Sequence, residues 1–255
     1  MEFKFNYLRV FTQDYALGKI ISMGISLLEM MALLVTRPSR KLFRLFGFVF
    51  KIKPFYSMLS TVRLLNLYQL ISEVERLGLN GDVVECGVWN GGAASMIARG
   101  YADAGKKVKR TIWLFDSFEG FPPPGQRDKK SEVECYFQGL CKGAIDNVRD
   151  IFSKMGVSMD DVKIVKGWLN ATLKVEIPKE IALLHVDTDW YDSVKAPLDH
   201  LYSRVVPGGF IVVDDYWFHE GCKAAVGDFI KEQKLEGKIT LIKVDRSAVY
   251  FQKPV

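Results

Sequence analysis

Five short Val/Ile/Leu-rich runs recur along the chain with helix-patterned stretches between them: "DVVECGV" (82–88), "TIWLFDS" (111–117), "VKIVKG" (162–167), "IALLHVD" (181–187) and "GFIVVDD" (209–215). Runs that are continuously apolar rather than alternating mean strands covered on both faces, and helices between strands supply the cover. The pattern therefore dictates an α/β fold with a doubly wound, mostly parallel sheet. The last two runs, "KITLIKV" and "AVYFQK", are joined only by "DRS" and read as an antiparallel hairpin on the sheet's edge. Ahead of the first strand, Leu64, Leu67, Tyr68, Ile71, Val74 and Leu77 recur at helical spacing within 57–77, and "GLNGD" ends that helix. Further helices are expected in the small-residue stretch after the first strand, around 144–155, over 193–205 up to "PGG", and from Gly221 to Lys234.

At 255 residues, with 49% hydrophobic and 25% charged, the chain has the make-up of one large globular domain with a helical extension. Its charge of +5 is concentrated, because residues 1–54 hold nine Lys/Arg against three Asp/Glu and the rest holds 26 against 27. The main domain thus offers no basic patch interleaved with aromatics, and nucleic acid is not an expected partner. Within the extension, Ile20 to Val35 is apolar apart from Glu29, Gly24 and two serines, and Arg37, Arg40, Lys41 and Arg44 follow. That run is shorter than the roughly 20 apolar residues of a spanning helix, and its charge order is the reverse of a signal peptide's. Two readings stay open. One is a helical cap on the main domain or across a homo-oligomer interface; the other is a peripheral membrane helix, with Phe43, Phe46, Phe48 and Phe50 beneath the basic residues. Cys86, Cys135, Cys141 and Cys222 show no CxxC spacing, which points to free thiols in a reducing cytoplasm and away from structural zinc.

Ligands of such sheets bind beyond the carboxyl ends of the strands, where strand order reverses. That rule sets Glu85, Asp116, Asp187 and Asp214–Asp215 on one rim. "VVECGVWNGGAASM" (83–96) is a strand, a glycine turn and a helix start: Gly87 allows the tight turn, and Gly91 and Gly92 let a ligand approach the backbone at the helix N-terminus. Its E-x-G-x-x-x-G-G spacing is not the G-x-G-x-x-G of dinucleotide enzymes, and a glycine turn also occurs for purely structural reasons. Asp116 ends the second strand 25 residues after Gly91, where an acid accepts from ribose hydroxyls or caps the turn that follows. Loop and acid together favour an adenosine-containing cofactor.

Asp187, Asp214 and Asp215 stand at two strand ends and would repel one another unless something compensates. A divalent cation is one answer and proton sharing within a carboxylate pair is the other. Three hard oxygen donors suit Mg²⁺ better than zinc. Asp192 reads as a helix-start acid, while Asp189 is either a proton acceptor or a bystander. His185 lies inside a strand and His200 on a helix, both structural positions. His219, four residues past Asp215, is a rim candidate for a base or an acceptor contact.

With these residues in view, the chain resembles the class I S-adenosylmethionine-dependent methyltransferases, and more closely the macrocin/mycinamicin sugar O-methyltransferase family. The matching stretches include "FYSMLSTVRLLNLYQLI", "GDVVECGVWNGGAASM", "LFDSFEGFP", "VKGWLNATL" and "LLHVDTDWYDSVKAPLDHLY", and "PGGFIVVDDYW" completes them, within about residues 55 to 229. The resemblance implies a Rossmann-like methyltransferase domain over 55–255, with a lid segment at 55–80, and leaves 1–54 as the basic, apolar helical extension. It implies Glu85, Gly87 and Gly91 around the methionine moiety, Asp116 on the ribose, and Ser117 and Phe118 beside the adenosine. Gly167 and Trp168 match the segment near the adenine, and Tyr56 matches the lid. Asp187, Asp214 and Asp215 match a magnesium site, with Asp187 also the base and Asp189 the alternate. Residues 1–54 and the triple-proline loop 122–136 match no family motif, and both bear on the acceptor.

The expected reaction is Mg²⁺-dependent methyl transfer from S-adenosylmethionine to a hydroxyl of a sugar or glycosylated secondary metabolite, as in antibiotic biosynthesis. A catechol-like or cell-surface glycan hydroxyl is the alternative acceptor. Two rivals come from other classes: an NAD-type oxidoreductase, which leaves the converging aspartates without a role, and a non-catalytic membrane-associated binding module.

Overall fold

The computed structural model describes residues 15–36, 40–129, 134 and 136–255. Seven strands form one sheet: β1 (Asp82–Cys86), β2 (Ile112–Asp116), β3 (Val162–Lys166), β4 (Ile181–Val186), β5 (Val205–Val213), β6 (Ile242–Lys243) and β7 (Val249–Gln252). Their order is β3-β2-β1-β4-β5-β7-β6, parallel throughout except that β7 runs antiparallel to both β5 and β6. Strand order reverses between β1 and β4, so the cleft forms beyond Cys86 and Val186. The terminal hairpin is present, but its second strand is inserted against β5 and only the two-residue β6 forms the edge. "PGG" does not merely stop a helix. It lies inside β5, whose pairing steps from Ile181↔Val205 to Leu183↔Phe210 through an irregularity that absorbs Pro207 and its glycines.

Helices cover both faces. On one side lie α1 (Tyr15–Thr36), α2 (Arg40–Ile52), α3 (Thr61–Leu77), α4 (Gly92–Asp103) and α5 (Ile145–Met155), packed on Val83, Leu114, Leu183 and Val212. On the other, α7 (Tyr191–Leu201) and α8 (Glu220–Glu232) pack on Val84, Phe115, Leu184 and Val213, and the single-turn α6 (Leu169–Thr172) lies at the rim. Successive strand residues point to opposite faces, so each strand contributes to both cores.

Helix α3 begins where Ser60 Oγ accepts the Arg63 N–H at 3.1 Å and ends at Gly78, whose φ of 63° is left-handed. It buries Leu64, Leu67, Ile71 and Val74, while Leu77, beside the C-cap, stays exposed. The extension is continuous with this core, because α2 buries Leu45, Phe46, Val49 and Ile52 in the same cluster. Glu29, the acid inside the apolar run, accepts the Thr61 N–H at 2.8 Å and so satisfies the start of α3. Leu27, Leu28 and Met31 of α1 and Phe43 and Phe50 of α2 remain exposed. No helix among the described residues is long and apolar enough to cross a membrane.

Candidate active site

Beyond β1 the chain turns at Gly87 (φ 87°), whose N–H bonds the Phe115 carbonyl at 2.9 Å. A Cβ there would lie 1.8 Å from the Asp187 carbonyl oxygen, so only glycine lets this loop lie against the exit of β4. Asp116 organises the loop from the neighbouring strand: its Oδ2 accepts the N–H groups of Val88 (2.7 Å) and Trp89 (2.8 Å), and its Oδ1 accepts that of Phe118 (2.6 Å). Asp116 thus braces two turns, and it also lines a cavity of about 330 Å³.

That cavity has the size of a small-molecule site. Gly87, Asp116, Ser117, Trp168, Asp187 and Asp189 all line it. Gly91 caps α4 beneath the loop, Gly167 bonds the Asp116 carbonyl at 2.9 Å behind Trp168, and Phe118 is buried in the core. Of the lid segment expected over 55–80, only the stretch before α3 reaches the cavity, and it does so through Met58. Helix α3 itself is core. The Tyr56 hydroxyl instead meets Asp150 and the Lys154 ammonium on α5. Phe121, Pro122, Pro123 and Trp190 add an apolar lining, and the Trp190 indole donates to the Pro122 carbonyl at 3.1 Å. Asp128 ties this loop down by accepting from the N–H groups of Gly125 (2.7 Å) and Tyr191 (2.8 Å). Residues 130–133 and 135 of the proline loop lie outside the described residues, Cys135 among them; Cys86, Cys141 and Cys222 are free thiols. Trp89, Cys141 and Asp189, all on the cavity, adopt left-handed backbone without being glycine, a conformation concentrated at functional sites.

The structure brings the expected acids together. Ligand atoms of Asp187, Asp214 and Asp215 lie within 4.8 Å of one another, as do those of Asp189, Asp215 and His219. Part of the compensation comes from the protein itself. Arg63, in the first turn of α3, pairs with Asp214 and lies 4.0 Å from Asp215 and 3.3 Å from Asp245. Proton sharing supplies another part: burial and then the charge of Asp215 raise Asp189, while Asp215 is drawn below its ordinary range, despite burial, by the Asp189 hydrogen bond and Arg63. Burial and the charges of Asp214 and Asp215 also hold Asp187 well above the ordinary carboxylate range.

Beneath the acids, His185 is wholly buried and its Nδ1 lies 3.0 Å from Glu85 Oε1, with Nε2 3.7 Å from Asp214 Oδ1. Burial alone would depress the imidazolium, yet Asp214 and Glu85 outweigh it and raise its pKa to about 10. Glu85 is thus set inward under the rim. His200 bonds its own helix at the Ala196 carbonyl (2.9 Å), and His219 stands 3.7 Å from Asp189 Oδ1. Sequence reasoning did not single out Arg63, Asp245 or Met58. The available signal was an arginine in the first turn of an otherwise apolar helix and an aspartate in the closing hairpin.

A family profile described as "Macrocin-O-methyltransferase (TylF)" matches residues 52–253. The chain belongs to the TylF macrocin O-methyltransferase family. Mycinamicin III 3''-O-methyltransferase of Micromonospora griseorubida is 32% identical to this TylF-family enzyme over 203 residues, 78% of either chain. Demethyldecarbamoylnovobiocin O-methyltransferase of Streptomyces niveus is 33% identical over 202 residues, 78% of this chain and 76% of that one. Among solved structures, the O-methyltransferase NovP superposes with a TM-score of 0.71 at 31% identity, covering 78% of this chain and 83% of its own. The match of a TylF-family chain begins at residue 52, which leaves α1 and nearly all of α2 outside it.

Proposed function

We propose that this TylF-family enzyme transfers a methyl group from S-adenosylmethionine to a sugar hydroxyl of a glycosylated secondary metabolite, with Mg²⁺ at the acid cluster. One observation carries the reading: a single cavity is lined by Asp116 and by Asp187 with Asp189. The residues fit the cofactor. Asp116 stands where a ribose is read, and Glu85 Oε2 is buried without a hydrogen-bond partner, an acceptor that a cationic donor at the loop would satisfy. They also fit the cation, since the carboxylates of Asp187, Asp214 and Asp215 converge and still outnumber the positive charges around them.

Bound there, a divalent cation would supply Lewis acidity toward the acceptor hydroxyl. The chain does the rest. Gly87, Trp89 and Asp116 hold the donor, and the Phe121–Trp190 wall excludes water from the space beside it. In its ionised form Asp187, made more basic by burial and by the charges of Asp214 and Asp215, accepts the hydroxyl proton; Asp189 is the alternate acceptor. The apolar lining from Phe121, Pro122, Pro123 and Trp190 supports an acceptor carrying apolar bulk beside its sugar. The exposed apolar side chains of α1 and α2, among a basic extension, support peripheral contact with an anionic membrane surface.

Asp187→Asn tests the reading. It should bind S-adenosylhomocysteine within about threefold of wild type while methyl transfer falls by about 10² or more. Full turnover in that variant, or in EDTA, would remove the base or the cation from the reaction. Thermal stabilisation by NAD rather than by S-adenosylmethionine would reassign the enzyme class, and turnover of a catechol or a surface glycan in place of glycosylated metabolites would reassign the acceptor.

A further inference from the structure

Strand alternation puts Glu85 of β1, His185 of β4 and Asp214, just past β5, on the same face of the sheet, the face that α3 covers. Glu85 and His185 are direct register partners, and β5 lies next to β4 on the other side. Their side chains are 1%, 0% and 2% exposed, so bulk solvent screens their charges little. Arg63 of α3 caps the line. The result is a row of alternating basic and acidic side chains, Arg63–Asp214–His185–Glu85, with contacts of 3.7 Å between Asp214 and His185 and 3.0 Å between His185 and Glu85, and burial raises the Glu85 carboxyl above its ordinary range. It begins in the first turn after the segment carrying Met58 and ends on the strand that launches the glycine loop.

Each member is held by its neighbour. Glu85 makes no hydrogen bond through Oε2, and His185 makes none through Nε2, so the orientation of each depends on the charge beside it. Arg63 is fixed from the far side as well, by Asp245, which also accepts from Ser60 Oγ at 2.8 Å. Burial removes the solvent that would otherwise dissipate a change at one end of the row.

We propose that Arg63 and His185 are positioning residues that set Glu85 for the cofactor, so that the seating of α3 and the affinity of the glycine loop for S-adenosylmethionine are linked through this buried row. The proposal rests on the cofactor reading above. Arg63 touches neither Glu85 nor the loop, which makes the linkage measurable as a double-mutant cycle.

The experiment is isothermal titration of S-adenosylhomocysteine in EDTA into wild type, Arg63→Met, Glu85→Gln and the double variant, alongside hydrogen exchange of the unliganded proteins. Arg63→Met should weaken binding about tenfold, His185→Asn should do the same, and Arg63→Lys should recover most of the loss. In the Glu85→Gln background, Arg63→Met should cost less than about twofold further. Exchange of the 87–92 amides should rise in Arg63→Met without ligand, and should not rise further in the double variant. Multiplying effects in the cycle, or unchanged exchange, would overturn the linkage. Wild type that binds no S-adenosylhomocysteine, with the exchange pattern intact, would overturn the cofactor reading and leave the row standing. If Arg63→Met does not fold, Arg63→Gln takes its place in the same cycle.

Discussion

Asp214 shows how a buried charge is made tolerable. It is 2% exposed, with one oxygen toward Arg63 and the other toward His185. A buried carboxylate stripped of either partner is strongly destabilising, because its desolvation is then uncompensated. His185 gives this a pH signature. Its folded pKa of about 10 exceeds the ordinary 6.5, so its contribution to stability is complete below pH 6.5 and is lost as pH rises through about 10. The denaturation midpoint is therefore expected to decline across that window, and His185→Gln should flatten the decline; an unchanged slope would mean that His185 is neutral in the folded protein. The acids at the strand ends were legible in the sequence, because carboxylates after apolar runs have few bland explanations. Arg63 was not, since its partner lies 151 positions away and nothing local distinguishes it from a surface arginine. Glu85 was legible as an acid near a strand end. Its inward turn toward His185 followed only from register.

Among elements, α4 and the stretch before α3 fit closely. A Cβ on Gly92 would sit 2.4 Å from the Tyr56 carbonyl oxygen, 2.6 Å from Ser57 Cβ and 2.7 Å from Ile52 Cγ2. That carbonyl already accepts the Gly92 N–H at 2.8 Å. Gly92→Ala should thus force the segment away from the cavity, at a cost of about 1–3 kcal/mol in chemical denaturation and with a raised KM for the donor. Unaltered stability and KM would show that the segment yields freely. The second glycine of the pair in "NGG" reads in sequence as room for a ligand. In the structure that room is filled by the protein's own chain, a distinction that requires knowing what packs on the helix. Strand and helix positions were readable from periodicity, while "PGG" misled because a bulge inside a strand carries the same turn residues as a helix stop.

At the scale of the molecule, α1 and α2 combine two roles. Their inner faces complete the core around α3, and their outer faces leave Leu28 68% and Phe43 64% exposed. Co-sedimentation with anionic liposomes at low salt should be strong for the full chain and lost in Leu28→Glu/Phe43→Glu, with methyl transfer to a soluble acceptor retained. Binding that survives the substitutions would assign it to charge alone. The sequence left this region open between core, interface and membrane, since an apolar helix looks alike in all three; Glu29 capping α3 places its inner side. The topology has a consequence for how the enzyme is made. Asp245 and Ser247, which anchor Arg63 and Asp215, sit in the turn leading into β7, which pairs with β5. On the ribosome, Arg63 and the carboxylates emerge before Asp245 and Ser247, so these last two restraints on the acid pocket close only when the C-terminal hairpin is in place.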